Sequence, residues 1–499
     1  MITRVNNLRD SGRGVARQKY GTLSPSPSYP SGLLSLPLLL ICYAVGMIEN
    51  APTIPFFACI LFGIGMLVFS LDRQDLYDRS FLHALFARGF LLRLGYAVFL
   101  YYLLIYTRGE PFLGGGDDRE YEATGEIIYN YWQAGVFETN MNQPAYPVFI
   151  AFLRYCCDML GGYHGFVTRL ANAFVGALIA PFLFILVRNV YDRSIAKTAS
   201  LVVMLYPDFI LYSSVQLRDI IIVFLFVFAL SQLSRYIISG VFSGILLSFA
   251  AVPPMLYLRN AYGYLLFGIL SICLGACVIF QGGKSTHQQW LKTATVFASV
   301  LLLSVYVKDA AIQYSGNIDN GSGILRPMQE DYATDMIMRY RGHNTSAASF
   351  SSVGAYLLTR LPFVLSLFVL PVVAFIMPYP PPFMLVQLGP IGIIYFINST
   401  TWTILMPLGI LGLFSCWKKS FPHNLMLILP MLLLLFISSS GGFDNRYKLA
   451  SIPFSLVFVA VGLYEVFLRK HESFVFSYWF IQAGLFGAYL AAKILIARG

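Results

Sequence analysis

A chain of 499 residues that is 57% hydrophobic and 12% charged, with a mean hydropathy of +0.68, lies outside the range of soluble globular proteins, in which about 25% of residues are charged. It reads as a membrane-embedded protein. The formal charge of +10 fits cationic loops retained on the cytoplasmic side and gives no reason to expect nucleic acid, and the seven cysteines show no zinc, redox or disulfide spacing.

In chain order, residues 1–32 form a basic tail carrying Arg4, Arg9, Arg13, Arg17 and Lys19 among Ser, Pro and Gly, with the composition of a disordered cytoplasmic segment. Apolar runs of bilayer-spanning length, about 17 to 25 residues, then recur. They are placed at 33–49, 52–71, 89–106, 169–189, 196–213, 219–235, 240–258, 261–280, 291–307, 354–377, 400–416, 424–438, 449–468 and 475–496. The expected fold is an all-α polytopic bundle of about 13 to 15 such spans. The run at 146–160, interrupted by Arg154 and Asp158, reads as interfacial, and 385–398 is broken by Gly389 and Pro390.

With the basic tail inside, the first two spans make a hairpin, and 72–93, with Arg73, Arg79, Arg88 and Arg93, stays on the cytoplasmic side. The third span completes an N-terminal unit, 33–106, and delivers an acidic segment, 107–168, to the outside. A transmembrane core at 169–307, an external loop at 308–353 and a C-terminal bundle at 354–499 follow. The loop 308–353 is expected to hold a helix after Pro327. Asn320, Asn344 and Asn398 open glycosylation-type triplets, which are common by chance. No internal repeat is visible.

The acidic segment is the chemical centre of the sequence. Three glycines, Gly114 to Gly116, precede Asp117 and Asp118, and five carboxylates fall between Asp117 and Glu126. Hydrocarbon would not tolerate them, so they belong in water or in a water-filled cavity. A carboxylate here can accept the proton of a reacting hydroxyl, or it is simply a solvated turn. A second set comprises arginines near external helix ends: Arg218 beside Asp219, Arg259 beside Asn260, and Arg446 between Asn445 and Tyr447. A guanidinium fork matches phosphate oxygens. The competing accounts are mutual neutralisation of Arg218 and Asp219, and interfacial snorkelling of Arg446. The histidines form no ligand set, and there is no His-Glu-x-x-His, P-loop or nucleophile elbow.

Taken together, these stretches resemble the GT-C superfamily of integral-membrane glycosyltransferases, of the type of protein O-mannosyltransferases and the lipid A aminoarabinose transferases. The resemblance rests on Asp118 with Tyr121 early in the first external loop, and on Pro144-Ala145-Tyr146-Pro147-Val148-Phe149-Ile150-Ala151, which fits a Pro-x-Tyr-Pro-x-Phe-x-Ala signature. It continues through Gly161-Gly162, Arg169-Leu170, Val190-Tyr191-Asp192-Arg193, Leu205-Tyr206-Pro207 and the acidic opening of the next helix, Asp219 where relatives usually carry Glu. Asn445-Arg446-Tyr447-Lys448-Leu449 with Pro453 closes the pattern. It covers 114–270 and, more loosely, 440–465. An N-terminal hairpin precedes the span that normally opens such folds.

The resemblance implies an inverting glycosyltransferase at the periplasmic face of a bacterial inner membrane. Its partners would be a polyprenyl-phosphate sugar donor, a glycan, lipid or protein acceptor, and membrane lipid. Asp118 or Asp117 would be the base, with Arg218, Arg259 and Arg446 around the donor phosphate and Tyr121, Glu122, Tyr146, Asp219 and Tyr447 lining the pocket. No cofactor is required, although a divalent cation could be accommodated beside so many carboxylates. Two other readings are an O-antigen or exopolysaccharide polymerase relying on Arg339 and Arg341, and a carrier or flippase of lipid-linked sugars.

Overall fold

The computed structural model of the chain describes residues 32–70, 76–113, 117–136, 145–280, 390–417, 424–440, 445–469, 475–481, 483, 484 and 487. The spans expected at 291–307 and 354–377, most of 475–496, and the loop 308–353 with its expected helix lie outside the described residues. Among the described residues every regular element is a helix, and the protein is an integral-membrane helical bundle. Among the described residues five helices are long and apolar enough to cross a bilayer, six if one bent pair counts as a single span, and shorter apolar helices accompany them.

Helices α1 (Gly32–Ile48) and α2 (Thr53–Ser70) form the N-terminal hairpin. The turn between them places Asn50 at φ 50°, a left-handed conformation that asparagine enters more readily than most residues. The hairpin packs on α3 (Leu76–Arg108), where a side chain at Gly65 would strike the ring of Phe86. At 33 residues, α3 is about 50 Å long, well beyond the ~30 Å hydrocarbon thickness, so both of its ends reach water. At one end, buried Asp78 pairs with Arg188 and Arg193, which close α6 (Phe166–Val190) and open α7 (Arg193–Leu205). Toward the other end, Tyr102 donates to Glu49 in the hairpin turn at 2.9 Å. Twenty-four residues separate Asp78 from Tyr102, an axial distance of about 36 Å, so two polar belts lie roughly one bilayer apart.

One expectation changes here. Arg93, assigned from the sequence to the cytoplasmic segment 72–93, lies midway along α3 with no exposed surface. Its guanidinium donates to the carbonyls of Gly89 and Met204, at 3.1 and 3.4 Å. The second acceptor is available because the span breaks between α7 and α8 (Pro207–Ser213), bending by 53°, and the last carbonyls of α7 need donors from elsewhere. Asp208, just past the break, accepts from Asn398 at 2.5 Å. Asn398 is therefore a buried core residue, despite its glycosylation-type triplet.

Beyond α9 (Asp219–Ser239), the span expected at 240–258 is divided into α10 (Phe242–Ala250) and α11 (Val252–Leu258), followed by α12 (Asn260–Phe280). The sequence separates 385–398 from 400–416, whereas the structure runs residues 390–398 into 400–416 as one helix, α13 (Pro390–Trp417), with 385–389 outside the described residues. Helix α14 (Leu425–Ser440), the single turn α15 (Asn445–Lys448) and α16 (Ile452–Arg469) complete the set. Helices α13 and α16 cross backbone to backbone: a Cβ on Gly412 would collide with the Phe458 carbonyl, and one on Gly462 with that of Leu408. Small residues permit such close approach where apolar lipid gives no hydrophobic drive for helix association.

Candidate active site

The site is built at the end of the bundle that holds Glu49 and Tyr102, around two helices outside the spanning segments, α4 (Asp117–Gln133) and α5 (Ala145–Asp158). The first turn of α4 carries Asp117, Asp118 and Glu120, negative charge where the helix N-terminus is positive. Helix α5 lies across it because α4 has a glycine at the crossing: a Cβ on Gly125 would strike Ile150 and crowd the Pro147 carbonyl. Most of the Pro-x-Tyr-Pro stretch thus belongs to the surface against which the acidic helix is packed.

The two aspartates have different surroundings. Asp118 is 2% exposed, and its carboxylate accepts from the backbone N–H of Leu113 at 2.6 Å and of Arg119 at 3.1 Å. The same loop is gripped by Arg108, which donates to the Leu113 carbonyl, and by Arg169, which donates to the Pro111 carbonyl. Arg169 also donates to the Ser214 carbonyl at 3.0 Å. Asp118 therefore fixes backbone. Asp117, whose side chain is 46% exposed, accepts from Arg446 Nη1 at 2.5 Å.

Arg446 is the junction. Its Nε donates to Asp219 Oδ2 at 2.6 Å, and Asp219, the first residue of α9, is only 6% exposed. One guanidinium on α15 thus joins carboxylates 329 and 227 residues away in the sequence. Burial works against its charge, but Asp219 and Asp117 more than offset this and hold its pKa above the ordinary arginine range. Arg218 donates to the Leu258 carbonyl at 3.2 Å and stands 5.8 Å from the ring centroid of Tyr121. Arg259, next in the chain after Leu258, lies over the ring of Tyr262 at 4.9 Å. The end of α11 consequently brings Arg218 and the backbone of Arg259 to one edge.

The expected lining residues divide into two groups. Tyr121 packs edge-on against Tyr146 at 5.2 Å, and the buried Tyr146 hydroxyl accepts from Asn172 Nδ2 at 2.9 Å. Burial pushes both phenols up, so each stays protonated as a hydrogen-bonding group. Glu122, by contrast, is committed to scaffolding: Arg154 donates to it at 2.7 Å and the Tyr163 hydroxyl at 3.1 Å. Tyr447 shares α15 with Arg446, and its side chain lies outside the described residues.

Several participants were not singled out from the sequence. Arg169 and Asn172 stand three positions apart on the first turns of α6, hence on one face. A cation and an amide inside an otherwise apolar run were the available signal. Glu49 in the hairpin turn reaches the rim of the site, where His164 Nε2 faces its Oε2 at 3.4 Å. His164 Nδ1 accepts from the Phe166 N–H, so neutral imidazole satisfies both contacts. Burial lowers its pKa, outweighing the opposite pull of Glu49 and Glu122.

Among the described residues no three His, Cys, Asp or Glu side chains are grouped to hold a metal ion. Asp117 and Asp219 already share a guanidinium, and a cation held between them would have to displace it.

No protein-family model and no curated protein matches the chain. Among solved structures it is similar to the oligosaccharyltransferase of Archaeoglobus fulgidus. Against the apo form the TM-score is 0.49 at 16% identity, over 85% of this chain and 55% of the other. Against the complex with Zn and sulfate it is 0.47 at 15% identity, over 82% and 52%. The chain spans about half the length of those structures.

Proposed function

We propose that the protein is an inverting glycosyltransferase with a GT-C type fold, moving a sugar from a polyprenyl-phosphate donor to an acceptor hydroxyl at the periplasmic face of a bacterial inner membrane. The observation that carries this reading is Arg446, which joins Asp117 and Asp219. A solvent-accessible carboxylate and a cation able to bind phosphate thus meet at the level where a lipid headgroup would lie.

Asp117 is the base in this scheme, because Asp118 is buried and occupied by backbone. The acceptor hydroxyl gives its proton to Asp117 while its oxygen attacks the anomeric carbon. The bond from that carbon to the phosphate oxygen breaks with its electron pair on the phosphate, and Arg446, Arg218 and Arg259 take up the charge that develops there. Attack opposite the leaving group inverts the configuration. Fixed cations in a partly dry site stabilise a departing phosphate strongly, so these groups need no nucleophilic residue.

The test is transfer by the purified full-length protein in detergent from a panel of polyprenyl-phosphate sugars. Formation of a new glycosidic bond with release of polyprenyl phosphate supports the reading. Loss of at least about a hundredfold in turnover is expected for Asp117→Asn, the lower end for removing a general base. No transfer from any donor would sink it.

A carrier of lipid-linked sugars is the second reading, favoured by one observation: Arg93 and Asp208 are buried midway through the bundle beside the break between α7 and α8. Intramembrane charge and broken helices are common in transporters. Arg93, however, donates to backbone carbonyls of the helices it touches, a structural task. In sealed vesicles a carrier would move the donor across the membrane unaltered, whereas a transferase would change it chemically.

A further inference from the structure

The exposure of the two carboxylates on Arg446 is unequal, and that inequality has a functional meaning. Asp219 is 6% exposed and Arg446 18%, while Asp117 is 46% exposed. Separating Arg446 from Asp219 would strand a buried charge. Separating it from Asp117 leaves a carboxylate that water can hydrate at once. Asp219 is thus the permanent partner and Asp117 the exchangeable one.

As long as Arg446 Nη1 stays on Asp117 Oδ2 at 2.5 Å, that oxygen is occupied and poorly placed to accept a proton. An anion arriving from the open side competes with Asp117 for the same guanidinium edge, and a phosphate offers more charge and a matching oxygen pair. We propose that Arg446 masks the base in the resting protein and that the donor phosphate, by taking Arg446, releases Asp117 for catalysis. This rests on the glycosyltransferase reading and adds an order of events to it: donor phosphate first, proton transfer second.

The same exchange runs backwards at the end of the cycle. Once Asp117 holds the acceptor's proton it is neutral and cannot compete for Arg446, so the polyprenyl phosphate product stays bound. When Asp117 passes that proton to water, its carboxylate recovers Arg446 and displaces the product. Glu120, an exposed carboxylate on the same turn, lies outside the exchange.

The experiment measures binding of a polyprenyl monophosphate without sugar to the full-length protein in detergent micelles. It compares wild type, Asp117→Asn, Glu120→Gln, Arg446→Gln and the double variant Asp117→Asn/Arg446→Gln. The expected result is that Asp117→Asn, although inactive in transfer, binds the probe up to about fivefold more tightly, which is what loss of a half-exposed ion pair as competitor is worth. Glu120→Gln should bind as wild type does, Arg446→Gln more weakly, and the tightening should vanish in the double variant.

If wild type binds the probe and Arg446→Gln weakens it, but Asp117→Asn binds no better than wild type, the masking is overturned and the transferase reading stands. Equal tightening in Glu120→Gln also overturns it, since the effect would then be bulk charge. Failure of wild type to bind the probe removes both.

Discussion

Exchanging one oxygen for nitrogen in Asp118 and in Asp117 should produce opposite phenotypes. In Asp118→Asn the side chain keeps one acceptor oxygen, but its amide must face one of two backbone N–H groups, at Leu113 or Arg119, now 2.6 and 3.1 Å from the carboxylate. A hydrogen bond to a charged group is worth about 1.5–3 kcal/mol, and the lost charge at a helix N-terminus adds about 0.3–1 kcal/mol. The total is about 3 kcal/mol, with the loop 109–113 loosened as a consequence. Asp117→Asn gives up one ion pair whose carboxylate is 46% exposed, worth at most about 1 kcal/mol, and the same helix-terminus charge, about 0.3–1 kcal/mol, a total of about 1 kcal/mol. Thermal unfolding of the purified protein in detergent, run beside the transfer assay, should therefore show Asp118→Asn clearly destabilised and Asp117→Asn near wild type but without turnover. An Asp118→Asn protein that unfolds like wild type and loses more turnover than Asp117→Asn would refute this division and make Asp118 the base.

Burial holds the imidazole of His164 below its ordinary pKa, so the folded protein favours the neutral ring. The resulting stabilisation is complete above about pH 6.5 and is lost as pH falls through the lowered folded value. Wild type should lose more thermal stability between pH 8 and pH 5 than His164→Gln, and a smaller loss in wild type would mean that a charged pair with Glu49 dominates. At the crossing of α13 and α16, Gly412→Ala should cost about 1–3 kcal/mol or more from overpacking against the Phe458 carbonyl. Gly63→Ala, which meets nothing within 4 Å, serves as the control in the same unfolding measurement, and equal behaviour of the two would contradict the close crossing.

The helical membrane architecture was legible because apolar runs of bilayer length carry their signal in composition alone. The acidic lip and the arginines Arg218 and Arg446 were legible for the complementary reason, that charge amid so much hydrocarbon needs an account. Their pairing was not. Arg218 and Asp219, adjacent in the sequence, suggested mutual neutralisation, whereas the structure gives Asp219 to Arg446 and turns Arg218 toward Leu258 and Tyr121. Adjacent residues at a helix start project in different directions, and partner choice is a tertiary fact. The position of Arg93 escaped for a related reason: a charge-counting rule assigns arginines to loops, and the break at Pro207 supplies one of the two carbonyls that receive it mid-span. The separate roles of Asp117 and Asp118 depend on whether a backbone loop folds over one of them, which no local pattern encodes.

Helix α15 is four residues long and sits between α14 and α16, yet it carries the guanidinium on which the acidic lip depends. During synthesis, a nascent chain that has already inserted α1 to α12 carries both aspartates but not yet the guanidinium that joins them. The proposed site is therefore completed late, after α14, and a polypeptide stopped before residue 445 would lack the cation that ties Asp117 to Asp219.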